Sequence, residues 1–210
     1  MPRSAKFSHD QIIDATARIA ARAGPAQATM ARIAGALSAP TGSLYHRFAS
    51  RDVLLGEVWL RAAQSFQDGF GGLLAGADPW EAGLAAALFI PARVRREPAE
   101  ARILLLHRRE DFLAAGWPTE MSERAAKLKH QVDTTLRRFS RRLLGRADAE
   151  ALRSISFALV QAPMAAVLPH LRASENPPAS VEPLIRATYG AVMTLAGAKP
   201  APVRKKAKQS

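Results

Sequence analysis

The chain has 210 residues, 48% of them hydrophobic, a net charge of +12 and no cysteine. That length carries a sizeable core together with a small second domain, and the missing thiols exclude disulfides, thiol redox sensing and thiolate metal sites. With no run of about 18 apolar residues and no signal-peptide core at the N-terminus, the expectation is a soluble, cytoplasmic protein with no membrane partner.

Ser8 as N-cap and Gln11 three residues on make a capping box, with Phe7 placed to staple Ile12. Ile12, Ala15, Ile19 and Ala23 form the apolar stripe of a first helix, which Gly24-Pro25 ends. Thr29 caps a second helix over residues 30–37, where Ile33, Ala34 and Leu37 recur at three and four residues. Ser38, Ala39 and Pro40 make a tight break before a short third helix. There Leu44 and Phe48 form a buried edge, while Thr41, Gly42, Ser43, Tyr45, His46 and Arg47 cover the remaining surface. Two helices joined by such a turn, the second with a polar face, are the elements of a helix-turn-helix that reads DNA.

Residues 8 to 60 resemble the DNA-binding domain of the tetracycline-repressor (TetR) family of bacterial transcriptional regulators. The resemblance rests on Ile33-Ala34, on Gly42-Ser43-Leu44-Tyr45-His46-Arg47-Phe48 and on the basic Arg51, and it covers a quarter of the chain. Ser38 stands where the family usually has Gly, which suits a positive φ. Arg51 replaces the commoner Lys and keeps its charge. The resemblance implies that Thr41, Gly42, His46 and Arg47 lie where base edges are read, and Ser43, Tyr45 and Arg51 where phosphates are held. Side-chain chemistry agrees: Arg47 suits guanine O6 and N7, Tyr45 and Arg51 suit the backbone, and Gly42 leaves room for close approach. Thr29, at the start of the second helix where unpaired amides gather, is a further phosphate candidate.

Beyond residue 50 the chain reads as helix after helix. Ser50 caps a fourth helix from Arg51 to about Leu74. Pro79 opens a fifth to Arg96, Pro98 a sixth to about Ala114, and Thr119 to Leu144 form a long seventh stopped by Gly145. Asp148 caps an eighth to about Leu171, and Ser180 a ninth from Val181 to Leu195. Pro91 and Pro163 fall inside helices, where each should free a carbonyl and bend its helix, either opening a cavity or making a tolerated packing kink. The prediction is an all-α protein of about nine helices: a helix-turn-helix domain at 1–50, a helical-bundle domain at 51–198 for effector binding and dimerisation, and a basic, disordered tail at 199–210.

Charge follows this division. Residues 1–55 carry seven Lys or Arg against three Asp, and residues 199–210 carry five Lys or Arg against none. A polyanion is the partner such segments predict, because phosphate neutralisation releases counterions. A non-specific nucleoid or membrane-surface binder is the alternative that charge alone allows, and it predicts indifference to DNA sequence.

Function then follows from the resemblance: a homodimer that binds inverted-repeat double-stranded DNA, probes two half-sites about 34–36 Å apart, and is released by a small-molecule effector. The last two long helices supply the expected dimer faces, through Ile155, Leu159, Ala162 and Ala166 and through Leu184, Ala187, Ala191 and Leu195. Effector-wall candidates are Phe89, Leu105, Phe112, Trp117, Leu128, Val132, Phe157 and Met164, with His107, Gln161 and His170 as polar contacts; a mainly apolar pocket suits a lipophilic or aromatic ligand. No cofactor or metal is implied. An enzyme is the competing class: His107, Glu110 and Asp111 place an imidazole and a carboxylate on one face of the expected sixth helix, at i and i+3. No second such pair, Gly-x-Ser-x-Gly, phosphate loop or His-Glu-x-x-His accompanies them.

Overall fold

The computed structural model describes residues 7–112 and 117–199. Ala114 and the basic stretch from residue 200 onward lie outside the described residues. Among the described residues nine helices follow in order: α1 (His9–Ala23), α2 (Met30–Leu37), α3 (Thr41–Tyr45), α4 (Arg51–Leu74), α5 (Pro79–Arg96), α6 (Pro98–Leu106), α7 (Thr119–Leu144), α8 (Ala149–Arg172) and α9 (Val181–Leu195). The described residues contain no strand.

Most helix ends are set by the side chains that local chemistry selects. Ser8 and Gln11 complete their capping box, with Gln11 N donating to Ser8 Oγ at 3.2 Å and Ser8 N donating to Gln11 Oε1 at 2.8 Å. Thr29, Ser50, Asp78 and Asp148 each accept amides of the first turn of α2, α4, α5 and α8. Gly145 takes a left-handed φ of 70° and stops α7. Ser180 differs from expectation: its side chain makes no cap, and the carbonyls of Pro178 and Ala179 receive the amides of Val181 and Glu182 instead. The sixth helix is also shorter than expected. It ends at Leu106, His107 is extended, and Asp111 Oδ2 accepts the Arg108 amide at 2.8 Å, turning the chain into a single 3-10 turn over Arg109–Phe112. His107, Glu110 and Asp111 therefore do not share a helix face.

The core of the N-terminal segment is built around α1. Ile12 and Ala15 are buried as expected and Phe7 packs against the same cluster, but Ile13, Thr16, Ala17, Ala20 and Ala21 are buried too, whereas Ala23 is exposed. The arc is wide because α2, α4 and α6 all pack on α1. Ile33, Leu44 and Phe48 complete this core, with Ile103 and Phe112 entering it from beyond α5. Arg102 of α6 reinforces the join: its Nε donates to the Ala21 carbonyl at 2.9 Å and its Nη1 to Ser174 Oγ at 3.1 Å. Arg61 of α4 pairs with Asp14 of α1.

The second core lies between α4, α5, α7, α8 and α9, around Phe70, Leu74, Phe139, Leu159 and Tyr189. Helices α4 and α7 run side by side in the same direction: Gly56 meets Met121 and Trp117, the Glu57 carboxylate takes Arg124 at 2.5 and 3.0 Å, and the Leu74 carbonyl takes Arg142 at 2.8 Å. Near its start this seam holds two indole rings, Trp59 and Trp117, with centroids 5.8 Å apart.

The prolines behave differently from one another. Pro91 is buried within a continuous α5. Ahead of Pro163, which offers no amide, α8 widens into a π turn over Phe157–Gln161, with the Ala162 amide reaching back to the Phe157 carbonyl. The expected α8 dimer stripe is not an outer face: Ile155, ahead of this turn, and Leu159, within it, are wholly buried in the second core, and Ala162 and Ala166 are half-buried. The outward residues are Phe157, Gln161 and Ala165. On α9 the expected stripe of Leu184, Ala187, Ala191 and Leu195 is exposed. Helix α8 is long and apolar enough to cross a membrane, with a mean hydropathy of 1.5 over its best window. One of its faces nevertheless builds the second core.

Gly83 shows how closely that core is packed. A Cβ there would collide with Tyr189 Oη and lie 2.7 Å from Phe139 Cζ, where the Tyr189 hydroxyl donates to the Trp80 carbonyl at 2.8 Å. Gly83→Ala is expected to be destabilising: overpacking costs about 1–3 kcal/mol, against about 1 kcal/mol regained from helix propensity. A lower urea midpoint at unchanged m-value is the expected result.

Candidate nucleic-acid interface and the α4–α7 groove

The turn of the helix-turn-helix is three residues long, as its sequence implies. At its start Ser38 adopts φ 51°, ψ 42°, with its amide bonded to the Gly35 carbonyl at 3.0 Å and the Ala39 amide to the Ala34 carbonyl at 2.9 Å. This is a Schellman closure with a serine where glycine is the unstrained residue. Helix α3 hangs from it by its apolar side. Leu44 and Phe48 are buried, and the Phe48 ring meets the His9 imidazole at a centroid distance of 4.3 Å.

With Leu44 and Phe48 turned inward, Thr41, Gly42, Ser43, Tyr45, His46 and Arg47 are exposed, Tyr45 at 54%. No neighbouring group fills the space a Cβ would take at Gly42. Ser43 Oγ donates to the Pro40 carbonyl at 2.7 Å, so its proton is engaged while its lone pairs stay open. Thr29 Oγ1 accepts the Arg32 amide at 3.2 Å, which leaves its hydroxyl proton for an anion at the start of α2.

Arg51 has other partners than a residue facing solvent. Its Nε donates to the Ala28 carbonyl at 2.9 Å, Nη2 to the Pro25 carbonyl at 2.6 Å, and Nη1 lies 3.3 Å from Asp52 Oδ1. The guanidinium is half-buried and joins the start of α4 to the α1–α2 connection.

The effector-wall candidates are dispersed. His107, Phe112 and Trp117 gather where the N-terminal core meets the rest: Phe112 is fully buried, His107 stands edge-on to it at 6.2 Å, and Trp117 Nε1 donates to the Phe112 carbonyl at 3.3 Å. Burial lowers the His107 pKa from its ordinary value, Asp111 opposes and Arg102 adds to the fall, so the imidazole is neutral at neutral pH. Phe89 packs on Gly69 and Phe66, Leu105 and Met164 pack beside Val167, and Leu128 is buried under α7. Phe157 and Gln161 are exposed on α8, and His170 is half-buried there.

Val132 borders a groove of about 480 Å³ between α4 and α7, whose other walls include Gln67, Phe70, Gly71, Gly72, Leu136, Arg138 and Phe139. A second groove, of about 630 Å³, continues toward α1 and shares Asp68 and Gln131 with the first. Neither proline-bearing helix lines either groove. The signal in the sequence for this site was two adjacent glycines in one helix, at 71 and 72, where propensity disfavours them.

By fold and by the exposed polar face of its third helix, the N-terminal part of the chain is a helix-turn-helix unit. Residues 12–58 match the family described as bacterial regulatory proteins, tetR family, and the whole chain has the fold of that family's transcriptional regulators. It is similar to a transcriptional regulator from Rhodococcus sp. Rha1, at 18% identity and a TM-score of 0.68 over 93% of this chain and 100% of that one. It is similar to the TetR family regulator PfmR from Thermus thermophilus, at 19% identity and a TM-score of 0.63 over 87% and 97%. The regulator FadR from Bacillus subtilis, solved in complex with stearoyl-CoA, shares 12% identity and a TM-score of 0.64 over 89% and 98%. No curated protein matches the sequence.

Ser38→Gly relieves a left-handed serine and is expected to stabilise the protein by about 0.5–1 kcal/mol, the conformational strain outweighing glycine's extra chain entropy. Thermal unfolding checks this, with a midpoint higher by roughly 2–4 °C per kcal/mol.

Proposed function

We propose that this protein is a homodimeric transcriptional repressor that binds an inverted-repeat operator and is released by a small-molecule effector. The observation that carries the reading is the exposed face of α3, anchored from behind by Leu44 and Phe48. Thr41, Gly42, His46 and Arg47 read base edges, and Ser43, Tyr45 and Thr29 hold phosphates. Arg51 serves as a positioning residue, since its strongest donors are spent on the Ala28 and Pro25 carbonyls. The units are a reading head at 1–50, a body at 51–198 and a basic tail at 199–210, and the protein works in the cytoplasm without catalysing a reaction.

Dimerisation is supported by the unpartnered apolar faces of α8 and α9. Phe157 is 45% exposed, Leu184 64% and Leu195 90%, on helices whose opposite sides are buried. A four-helix interface between two copies covers these faces and fixes the two heads about 34–36 Å apart, one turn of DNA. Ligand response is supported by the company of fold relatives that includes a regulator solved with stearoyl-CoA. Release then requires that the effector bind the DNA-incompetent spacing of the heads more tightly.

Fluorescence anisotropy with DNA from upstream of the protein's own gene, against a scrambled duplex, tests the head. Tyr45→Ala and Arg47→Ala are expected to lose upstream-DNA affinity, Arg47→Ala by about 1–3 kcal/mol if it pairs with guanine. Arg51→Ala is expected to weaken binding without changing its salt dependence, whereas a lost phosphate contact lowers the slope of log K against log salt by about 0.9. Equal affinity of the wild type for both duplexes defeats the operator reading and favours the charge-driven one. The dimer is tested separately by sedimentation: Leu184→Glu with Leu195→Glu is expected to convert a dimer to a folded monomer.

A further inference from the structure

Two glycines in the last turn of α4 have no packing reason to be glycine. Gly56 and Gly69 are required, since a Cβ at Gly56 collides with Met121 and one at Gly69 lies 2.6 Å from Phe89 Cζ. At Gly71 the nearest atom is Thr135 Cγ2 at 3.9 Å, at Gly72 nothing lies within 4 Å, and neither has a positive φ. Both sit inside a helix, where glycine is disfavoured, and both border the 480 Å³ groove against α7. Their missing side chains keep that groove open.

Three further features of the same groove are unmatched. The Gln67 side-chain carbonyl oxygen is out of contact with solvent and has no donor. Arg138 makes no ion pair among the described residues, and the guanidinium of Arg142 beside it is spent on the carbonyls of Leu74 and Gly76. Phe70, Val132, Leu136 and Phe139 form an apolar wall. The charges are also ordered along the seam. Asp68, held by Gln64 Nε2 at 2.7 Å, stands at the end toward α1, and Arg138 lies two helical turns further along α7 than Gln131, its neighbour across that end.

From these observations we infer that the α4–α7 groove binds an organic anion with an apolar body, its charge at Arg138 and its apolar part over Gly71 and Gly72. A volume of about 480 Å³ lies in the range of roughly 300–1,000 Å³ typical of small-molecule sites. A cation beside apolar surface favours an amphipathic anion over either a neutral lipid or a hydrophilic one. The assignment rests on the effector reading only for its regulatory meaning; the site itself stands on the groove.

The test uses 1-anilinonaphthalene-8-sulfonate, which has the sulfonate, the rings and the N–H, and N-phenyl-1-naphthylamine, which lacks only the sulfonate. Fluorescence titration of the full chain is expected to show one saturable site per chain for the sulfonate and at least tenfold weaker binding of the neutral amine. Arg138→Ala is expected to erase the difference between the two probes. Gly72→Leu should abolish the saturable binding of both while raising the unfolding temperature, since leucine is the better helix former. Equal binding of the sulfonate by wild type, Arg138→Ala and Gly72→Leu, or no saturable binding at all, overturns the assignment. Adding the probe to the DNA complex separates the two ideas: binding at the groove without DNA release keeps the site and removes its role as the effector site. Absent groove binding with intact operator binding removes the site and leaves the regulator.

Discussion

Everything in this molecule is referred to α4. Its first turns, through Leu54, Leu55 and Val58, belong to the core of the reading head, and its last turns, through Phe70 and Leu74, belong to the core of the body. A continuous hydrogen-bonded helix kinks sharply only by opening its ladder, so the orientation of the head follows whatever holds the first turns of α4. That start is held by Arg51, whose guanidinium reaches two carbonyls of the α1–α2 connection, and by Arg61 pairing with Asp14. A half-buried guanidinium with two carbonyl acceptors is a rigid tie because its fork is planar and always charged.

Helix α6 and the turn after it give the head a second attachment, from a different direction. Ile103 and Phe112 enter the head's core, and Arg102 bonds the carbonyl end of α1. The head is thus gripped by two elements of the body, α4 and the α6 segment. Any displacement of one against the other is taken up by α1, which packs on both.

What the sequence made legible was local. The capping residues Ser8, Thr29, Ser50, Asp78 and Asp148 act within three residues of themselves, and the inward pair Leu44 and Phe48 follows from helix phase alone. What it hid was set by contacts distant along the chain. Ser180 looks like a cap but has its amide neighbours served by the preceding turn, and His107 to Asp111 read as helix until Asp111 takes an amide of the same turn. Ile155 and Leu159 point inward rather than toward a second copy, because the second core takes that side of α8. The groove was hidden for a related reason: its walls come from two helices about 65 residues apart, and Gln67 and Arg138 carry no mark of their shared surface. Arg51 was legible as a charge suited to phosphate, but not as a strut, because its acceptors are backbone atoms.

The two indoles that face one another at the head end of the α4–α7 seam have a spectroscopic consequence. Trp59 and Trp117 are close enough for their transitions to couple, whereas Trp80 stands apart against Tyr189 in the second core. Near-ultraviolet circular dichroism of this protein therefore contains a paired signal whose sign and size follow the angle between two rings, one on α4 and one ahead of α7. The chain carries its own goniometer for the seam, readable without a label, and the absence of cysteine leaves any added thiol free to be the single point of attachment for a second one.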